Sequence, residues 1–163
     1  MLHLIEQMLP ASLHRSALQI VFRLRHYWRR WRKTPIIGCN VVITDLKGEI
    51  IMVRHSYGPA VWGLPGGGVG RNEDPAKAAR RELKEELGLS PTKLRHVAEV
   101  TSEVSGSPLT IHVFAVTSDA HPKPDNREVI EARFFPPHSL PEPVSETTRR
   151  LLAAWREAER RPH

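Results

Sequence analysis

One stretch, residues 56–89, constrains the fold more than any other part of the chain. It opens with "SYGPAVWGLPGGGVG" (56–70), which is too rich in glycine and proline for either a helix or a strand. A helical segment follows, with Asp74 as the expected N-terminal cap and Pro75 in its first turn. Gly88 is the expected left-handed cap at its C-terminus. The stretch therefore predicts an irregular loop that leads directly into a helix.

The predicted helix carries three glutamates on one face. At about 100° per residue, Glu82, Glu85 and Glu86 fall within about 100° of arc. A neighbouring face is apolar and contains Ala76, Ala79, Leu83 and Leu87. Like charges at spacings of three and four repel by roughly 0.2–0.5 kcal/mol per pair, and a divalent cation would reverse this repulsion. On spacing alone, a solvated acidic face and an oxygen-ligand site for Mg²⁺ or Mn²⁺ both stay open.

The loop before the helix favours phosphate chemistry. Glycines let the backbone approach a ligand closely, and the following helix N-terminus favours an anion. Trp62 and Tyr57 flank the loop and could stack on a base, although a tryptophan here could equally pack the loop against the sheet. Arg54 and His55 end a predicted strand and could contact phosphate, or could form a solvated strand end.

Alternating apolar residues elsewhere predict a mixed α/β domain. Strands are expected at 36–45, 49–55, 94–105, 109–118 and 128–136, with a final helix near 144–160. Strands interspersed with helices predict an α/β sandwich. The single cysteine, Cys39, excludes an internal disulfide framework and fits a reducing compartment. With no apolar stretch long enough to span a membrane and no secretory signal, we expect a cytoplasmic location.

The positive charge of the chain is concentrated in residues 1–33. This segment holds seven lysines and arginines and one glutamate, and 7 − 1 = +6 equals the net charge of the whole chain. Its apolar residues recur at steps of three and four: Leu13, Ala17, Ile20, Leu24, Trp28 and Trp31. The pattern predicts a basic amphipathic helix, an N-terminal arm at 1–34. Packing on the domain or on a second subunit, contact with an anionic membrane, and contact with nucleic acid all stay open.

A complete motif joins the loop and the helix. Gly67 to Leu89 fits G-x5-E-x7-R-E-U-x-E-E-x-G-U at every fixed position, where U is apolar. The chain therefore resembles the Nudix hydrolase family, and the preceding "WGLPGG" is similar to the family's usual entry into this motif. The resemblance implies a Nudix-type α/β/α sandwich with a mixed β-sheet at 35–163. It also implies hydrolysis of a nucleoside diphosphate linked to another group, with Mg²⁺, or in some members Mn²⁺, as the cofactor.

The resemblance also implies a role for each matching residue. The metal ligands would be Glu82, Glu85, Glu86 and the carbonyl of Gly66. Arg81 would hold the glutamates in place, Glu73 would support the site, and Gly67 and Gly68 would approach the phosphates. Glu85 is favoured as the base or as a ligand. Two downstream residues, Glu128 and Glu131, are alternative bases, or simply acids at an exposed strand edge.

The substrate is less well specified. A nucleotide sugar, an ADP-ribose-like compound and a (d)NTP all fit the motif. Ser105 stands where many ADP-ribose hydrolases carry a proline, and "LPGGG" differs from the "PQGG" of RNA 5′-end pyrophosphohydrolases. A catalytically silent Nudix-like binding or regulatory domain is one alternative function. Another is an RNA-associated or peripheral membrane factor that acts through its arm. The intact glutamates favour the hydrolase, because a silent domain has no physical reason to keep carboxylates that repel one another.

Overall fold

A computed structural model of the protein describes residues 35–104 and 106–161. The strands of this part of the chain are β1 (Ile36–Thr44), β2 (Ile50–His55), β3 (Trp62–Gly63), β4 (Gly66–Gly68), β5 (Arg95–Val104), β6 (Ser107–Thr117) and β7 (Val129–Phe135). Its helices are α1 (Pro75–Leu87), which follows β4, and α2 (Glu146–Arg160), which follows β7. No helix in these two ranges is long and apolar enough to cross a bilayer. The predicted basic helix of the arm, at 1–34, lies outside the described residues.

The strands form one mixed sheet with the order β3-β2-β1-β6-β5. β1 and β6 run parallel, from Ile36 opposite Leu109 to Thr44 opposite Thr117. The other pairings are antiparallel: β1 with β2, β2 with β3, β5 with β6, β7 with β2, and β4 with the first part of β1. Because the central strand β1 is covered on both faces, its sequence is almost continuously apolar, which is typical of a buried parallel strand.

A hydrophobic cluster lies on each face of the sheet. Cys39, Val41 and Ile43 point to one face, where they pack with Leu83 and Leu87 of α1. The opposite face buries Val42, Ile50 and Met52 against Leu151 and Leu152 of α2. The alternation along β1 follows from the two-residue period of a strand. One helix on each face makes the α/β/α sandwich that the sequence predicts.

The ends of α1 are set by local interactions. The carboxylate of Asp74 accepts a hydrogen bond from the backbone N–H of Lys77, and Pro75 is the first helical residue. Gly88 adopts a left-handed conformation with φ 66°, and its N–H donates to the carbonyl of Lys84. Both caps are confirmed. They fix where the helix starts relative to the glycine loop, and therefore where its glutamates lie.

The expectation of no regular structure at 56–70 is wrong, because β3 and β4 lie within it. Strands of two and three residues are too short to show alternation in a sequence. Gly66 pairs opposite Asn40 of β1 and has φ 139°. A Cβ atom there would lie 2.1 Å from the carbonyl oxygen of Cys39, so only glycine allows this close approach. The pairing ties the loop to the centre of the sheet.

Candidate active site

A cavity of about 590 Å³ lies between α1, β4 and the start of β1. It is lined by Pro35, Ile36, Ile37, Tyr57, Gly66, Gly67, Gly68, Val69, Gly70, Arg81, Glu82, Glu85, Glu86 and Glu128. The fold thus gathers the motif's three helical glutamates, the glycine loop and one of the two downstream acids around one space. We call this space the carboxylate cavity.

Arg81 connects most of the acidic residues of the motif. Its Nε donates to Oε1 of Glu73 at 3.0 Å, and its Nη1 donates to Oε1 of Glu82 at 2.7 Å and Oε2 of Glu85 at 3.3 Å. Its Nη2 donates to the carbonyl oxygen of Gly68 at 3.1 Å. A planar guanidinium with five N–H donors can make such a set at once. Its hydrogen bonds are the main cause of the lowered pKa of Glu73, and they hold helix and loop together.

The three helical glutamates lie at different depths. The exposed fraction of the side chain is 3% for Glu86, 13% for Glu82 and 53% for Glu85. The pKa of Glu82 is raised, mainly by burial and further by the charges of Glu86 and Glu85, while Arg81 acts in the opposite direction. The three glutamates share one face of the helix, as the sequence predicts, but their exposure to solvent increases from Glu86 to Glu82 to Glu85.

Both oxygens of Glu86 have partners. Oε1 lies 3.0 Å from Nε2 of His55, and Oε2 accepts the backbone N–H of Gly66 at 3.0 Å. Burial is the largest influence on the pKa of His55 and lowers it, but the hydrogen bond and charge of Glu86 lead to a net rise. The sequence suggests that His55 contacts phosphate or ends a strand in solvent. Neither interpretation includes its contact with Glu86.

Tyr57 and Glu128 also line the carboxylate cavity. The Tyr57 hydroxyl donates to Oε2 of Glu128 at 3.5 Å, and burial, followed by the Glu128 charge, raises the pKa of the phenol. Asp125, which sequence reasoning missed, accepts the backbone N–H groups of Glu128 and Val129 at 3.1 and 2.8 Å. Its own N–H donates to the carbonyl of Glu86. An aspartate within "PDN" is a typical turn-forming signal that could have indicated this anchor.

Among the predicted substrate contacts and bases, four do not line the carboxylate cavity: Arg54, His55, Trp62 and Glu131. Nη1 of Arg54 lies 3.4 Å from Oε2 of Glu131, and its guanidinium lies 5.7 Å from the ring centroid of Trp62. Trp62 is 8% exposed and packs edge-on against Phe135. The positions therefore do not support substrate contact by Arg54 or Trp62, or a base at Glu131, because these side chains are engaged with one another.

A second cavity of about 260 Å³ adjoins the first, and Tyr57 and Gly66 line both. Its other lining residues are Asn40, His55, Gly58, Pro59, Val61, Gly63, Leu64, Ser145, Thr147, Thr148 and Leu151. It contains hydroxyl and amide groups and the imidazole of His55, and no carboxylate. We call it the neutral cavity.

The donor set of the carboxylate cavity suits a hard divalent cation, since its donors are carboxylate and carbonyl oxygens. Within 35–104 and 106–161, no three histidine, cysteine, aspartate or glutamate side chains are arranged so that they could hold a metal as they stand. Arg81 donates to one oxygen each of Glu82 and Glu85. A Cβ at Gly67 would lie 2.5 Å from Oε1 of Glu82, so the bare backbone fits closely against this carboxylate.

Comparisons with known proteins agree with the motif. An uncharacterised Nudix hydrolase of Pseudomonas aeruginosa is 33% identical over 105 residues, which cover 61% of this chain and 62% of that protein. An RNA pyrophosphohydrolase of Coxiella burnetii is 36% identical over 69 residues, which cover 42% of this chain and 30% of that protein. The matched regions thus span less than two thirds of these relatives.

The fold is shared with solved structures. The crystal structure of a MutT NUDIX hydrolase from Burkholderia pseudomallei has a TM-score of 0.67 at 26% identity, covering 74% of this chain and 97% of that one. Residues 34–155 also match the family model of the NUDIX domain. Since that match includes most of the chain, from the start of β1 into α2, the protein belongs to the Nudix family.

Proposed function

We propose that the protein is a divalent-metal-dependent hydrolase of a pyrophosphate bond in a nucleoside diphosphate linked to another group. The observation that carries this proposal is the carboxylate cavity, which places Glu82, Glu85 and Glu86 beside the glycine loop. Nudix hydrolases generally use divalent metal ions. Mg²⁺ is the proposed ion, with Mn²⁺ as a substitute, because both accept oxygen ligands.

The three glutamates and the carbonyl of Gly66 would hold the metal. When bound, the ion would neutralise the diphosphate and lower the pKa of a water molecule. Arg81 keeps Glu82 and Glu85 close to the loop. The glycine backbone leaves room for the phosphates, since no side chain projects from Gly66 to Gly68.

Two carboxylates are candidates for the base that takes the proton from water. Glu85 is half exposed at the mouth of the cavity, and Glu128 lies on the wall beside Tyr57. Glu85→Gln and Glu128→Gln distinguish the two candidates when turnover is measured as a function of pH. The variant that lacks the base should lose the fall in turnover at acidic pH. Glu99→Gln is a matched control, because Glu99 lies on β5 and has an exposed side-chain fraction of 52%, close to that of Glu85.

The neutral cavity supports a substrate whose second group is uncharged and polar. Hydroxyl and amide groups of Asn40, Ser145 and Thr147 could hydrogen-bond a sugar or a nucleoside next to the diphosphate. Nucleotide sugars and ADP-ribose-like compounds meet this description. A (d)NTP meets it only through its nucleoside, because the group beyond its diphosphate is a charged phosphate. The relative named RNA pyrophosphohydrolase adds 5′-triphosphate RNA to the substrates that need testing.

A phosphate-release screen over these substrates, with Mg²⁺ and with Mn²⁺, tests the proposal. We expect Glu86→Gln to lower turnover by at least about a hundredfold while the circular dichroism spectrum stays unchanged. Unchanged turnover of this variant at saturating Mg²⁺ would contradict the metal assignment. Nucleotide binding without hydrolysis of any substrate would favour the alternative, a catalytically silent binding domain.

The N-terminal arm at 1–33 stays a separate prediction, as do a homodimer and a peripheral membrane location. Binding of the full chain to anionic vesicles and to RNA, measured at two salt concentrations, separates the interpretations. Binding that weakens with salt indicates contacts with headgroups or with phosphates. Absence of binding to either would leave the packing interpretation.

A further inference from the structure

Glu86 differs from the other carboxylates of the motif in how it is held. Arg81 donates to Glu73, Glu82 and Glu85, but among the hydrogen bonds of the described residues it makes none with Glu86. Glu86 is nevertheless the most buried of the four. A buried carboxylate needs compensating partners, because leaving it unpaired is strongly unfavourable.

The partners of Glu86 come from β2 and β4. The backbone N–H of Gly66 donates to Oε2, and Nε2 of His55 lies 3.0 Å from Oε1. Within 35–104 and 106–161, His55 is the one side chain hydrogen-bonded to this carboxylate. His55 is therefore the side-chain hydrogen-bond partner of Glu86, as Arg81 is for Glu73, Glu82 and Glu85.

The position of His55 is itself well determined. The register between β2 and β7 shifts between Arg54 and His55, and such an irregularity commonly redirects a side chain. The imidazole lies 5.3 Å from the ring of Tyr57, measured between centroids, and its side chain is 23% exposed. Contact with both Tyr57 and Glu86 restricts the rotation of the imidazole.

We propose that His55 is a positioning residue that orients Glu86 for divalent-metal binding. The inference rests on the proposed function, in which Glu86 is a metal ligand. In this role His55 acts through Glu86 and is not itself a ligand of the metal. Residues that orient a metal ligand through a hydrogen bond typically contribute about 10–100-fold to metal affinity or activity.

Replacement of His55 by alanine and by glutamine tests this role. We expect His55→Ala to weaken Mn²⁺ binding by about tenfold or more, measured on the full chain by electron paramagnetic resonance of free Mn²⁺. The Mg²⁺ concentration that gives half-maximal turnover should rise in parallel, with kcat at saturating Mg²⁺ much less affected. His55→Gln places an amide N–H near the position of Nε2 and should restore most of the affinity.

His112→Ala is a matched control, because His112 also lies on a strand and its side chain is 21% exposed. It should leave the Mn²⁺ affinity unchanged. If His55→Ala does not fold, His55→Asn replaces it, since its shorter amide does not reach Glu86. Wild-type Mn²⁺ affinity in His55→Ala or His55→Asn, with affinity lost in Glu86→Gln, would overturn the positioning role and leave the proposed function intact. Wild-type affinity in the Glu86→Gln variant as well would overturn both.

Discussion

Three consecutive glycines in the loop have different surroundings, so alanine at each position should have a different effect. At Gly66, a Cβ atom would lie 2.1 Å from the oxygen of Cys39 and 2.8 Å from Cα of Asn40, and φ is 139°. These are backbone atoms of the central strand and cannot turn aside. Backbone strain and overpacking each cost about 1–3 kcal/mol, so Gly66→Ala should lower the free energy of unfolding by about 2–6 kcal/mol.

At Gly67 the obstacle is a side chain. The added Cβ would lie 2.5 Å from both Cδ and Oε1 of Glu82, the flexible end of a glutamate. Glu82 can move away, but it then loses its 2.7 Å hydrogen bond from Arg81. A hydrogen bond to a charged group contributes about 1.5–3 kcal/mol, and less here because Arg81 is partly exposed to solvent. We expect Gly67→Ala to lose about 1–2 kcal/mol of stability but about tenfold or more in metal affinity.

Gly68 provides the control. No atom lies within 4 Å of its added Cβ, and its φ is not in the left-handed region. Gly68→Ala should change the free energy of unfolding by no more than about 1 kcal/mol. A small increase in stability is expected, because alanine lowers the conformational entropy of the unfolded chain. Urea unfolding and Mn²⁺ binding of all three variants give the comparison. Equal destabilisation at the three positions, or full metal affinity in Gly67→Ala, would refute the assignment of these contacts.

Two further predictions concern residues that are not among the proposed metal ligands. Burial raises the pKa of Cys39 to about 11 from 9.0, so iodoacetamide at pH 8 should modify it only after unfolding in urea. The folded state keeps this thiol neutral, and the stability that results is fully present below pH 9.0. The free energy of unfolding should therefore fall by up to about 3 kcal/mol as the pH rises to about 11. The Cys39→Ala variant should lack this part of the pH dependence. Gly88→Ala forces an alanine to φ 66° and should cost about 1–2 kcal/mol in urea unfolding, whereas Gly68→Ala should not.

The sequence predicts best what short-range interactions determine. The caps of α1, Asp74 and Gly88, are found where they are expected, because a cap depends on a few neighbouring residues. The long strands agree with their predicted ranges to within about two residues, since alternation is a local signal. The motif likewise identifies the helical glutamates, whose spacing the helix itself fixes.

Contacts between distant segments are not visible in these patterns. The helical spacing alone places Glu86 on the acidic face of α1. Its burial results from packing of α1 on the sheet, which the spacing does not show. His55 is 31 positions from Glu86 in the chain, and the turn anchored by Asp125 is still further on. Arg54 and Trp62 are plausible site residues in the sequence, yet pairing of β2 with β3 and β7 turns them towards each other.

The charge of the carboxylate cavity argues for a cation independently of the motif. Four of its lining residues are acidic, Glu82, Glu85, Glu86 and Glu128, and one is an arginine, so 1 − 4 gives a formal charge of −3. Near a protein surface, two like charges at 4 Å repel by about 4 kcal/mol before screening. Burial is the main cause of the raised pKa of Glu82, and the charges of Glu86 and Glu85 raise it further. Uptake of a divalent ion relieves the repulsion while keeping every carboxylate charged. The retained negative charge is therefore consistent with the proposed cation site, in which a bound ion would attract each carboxylate.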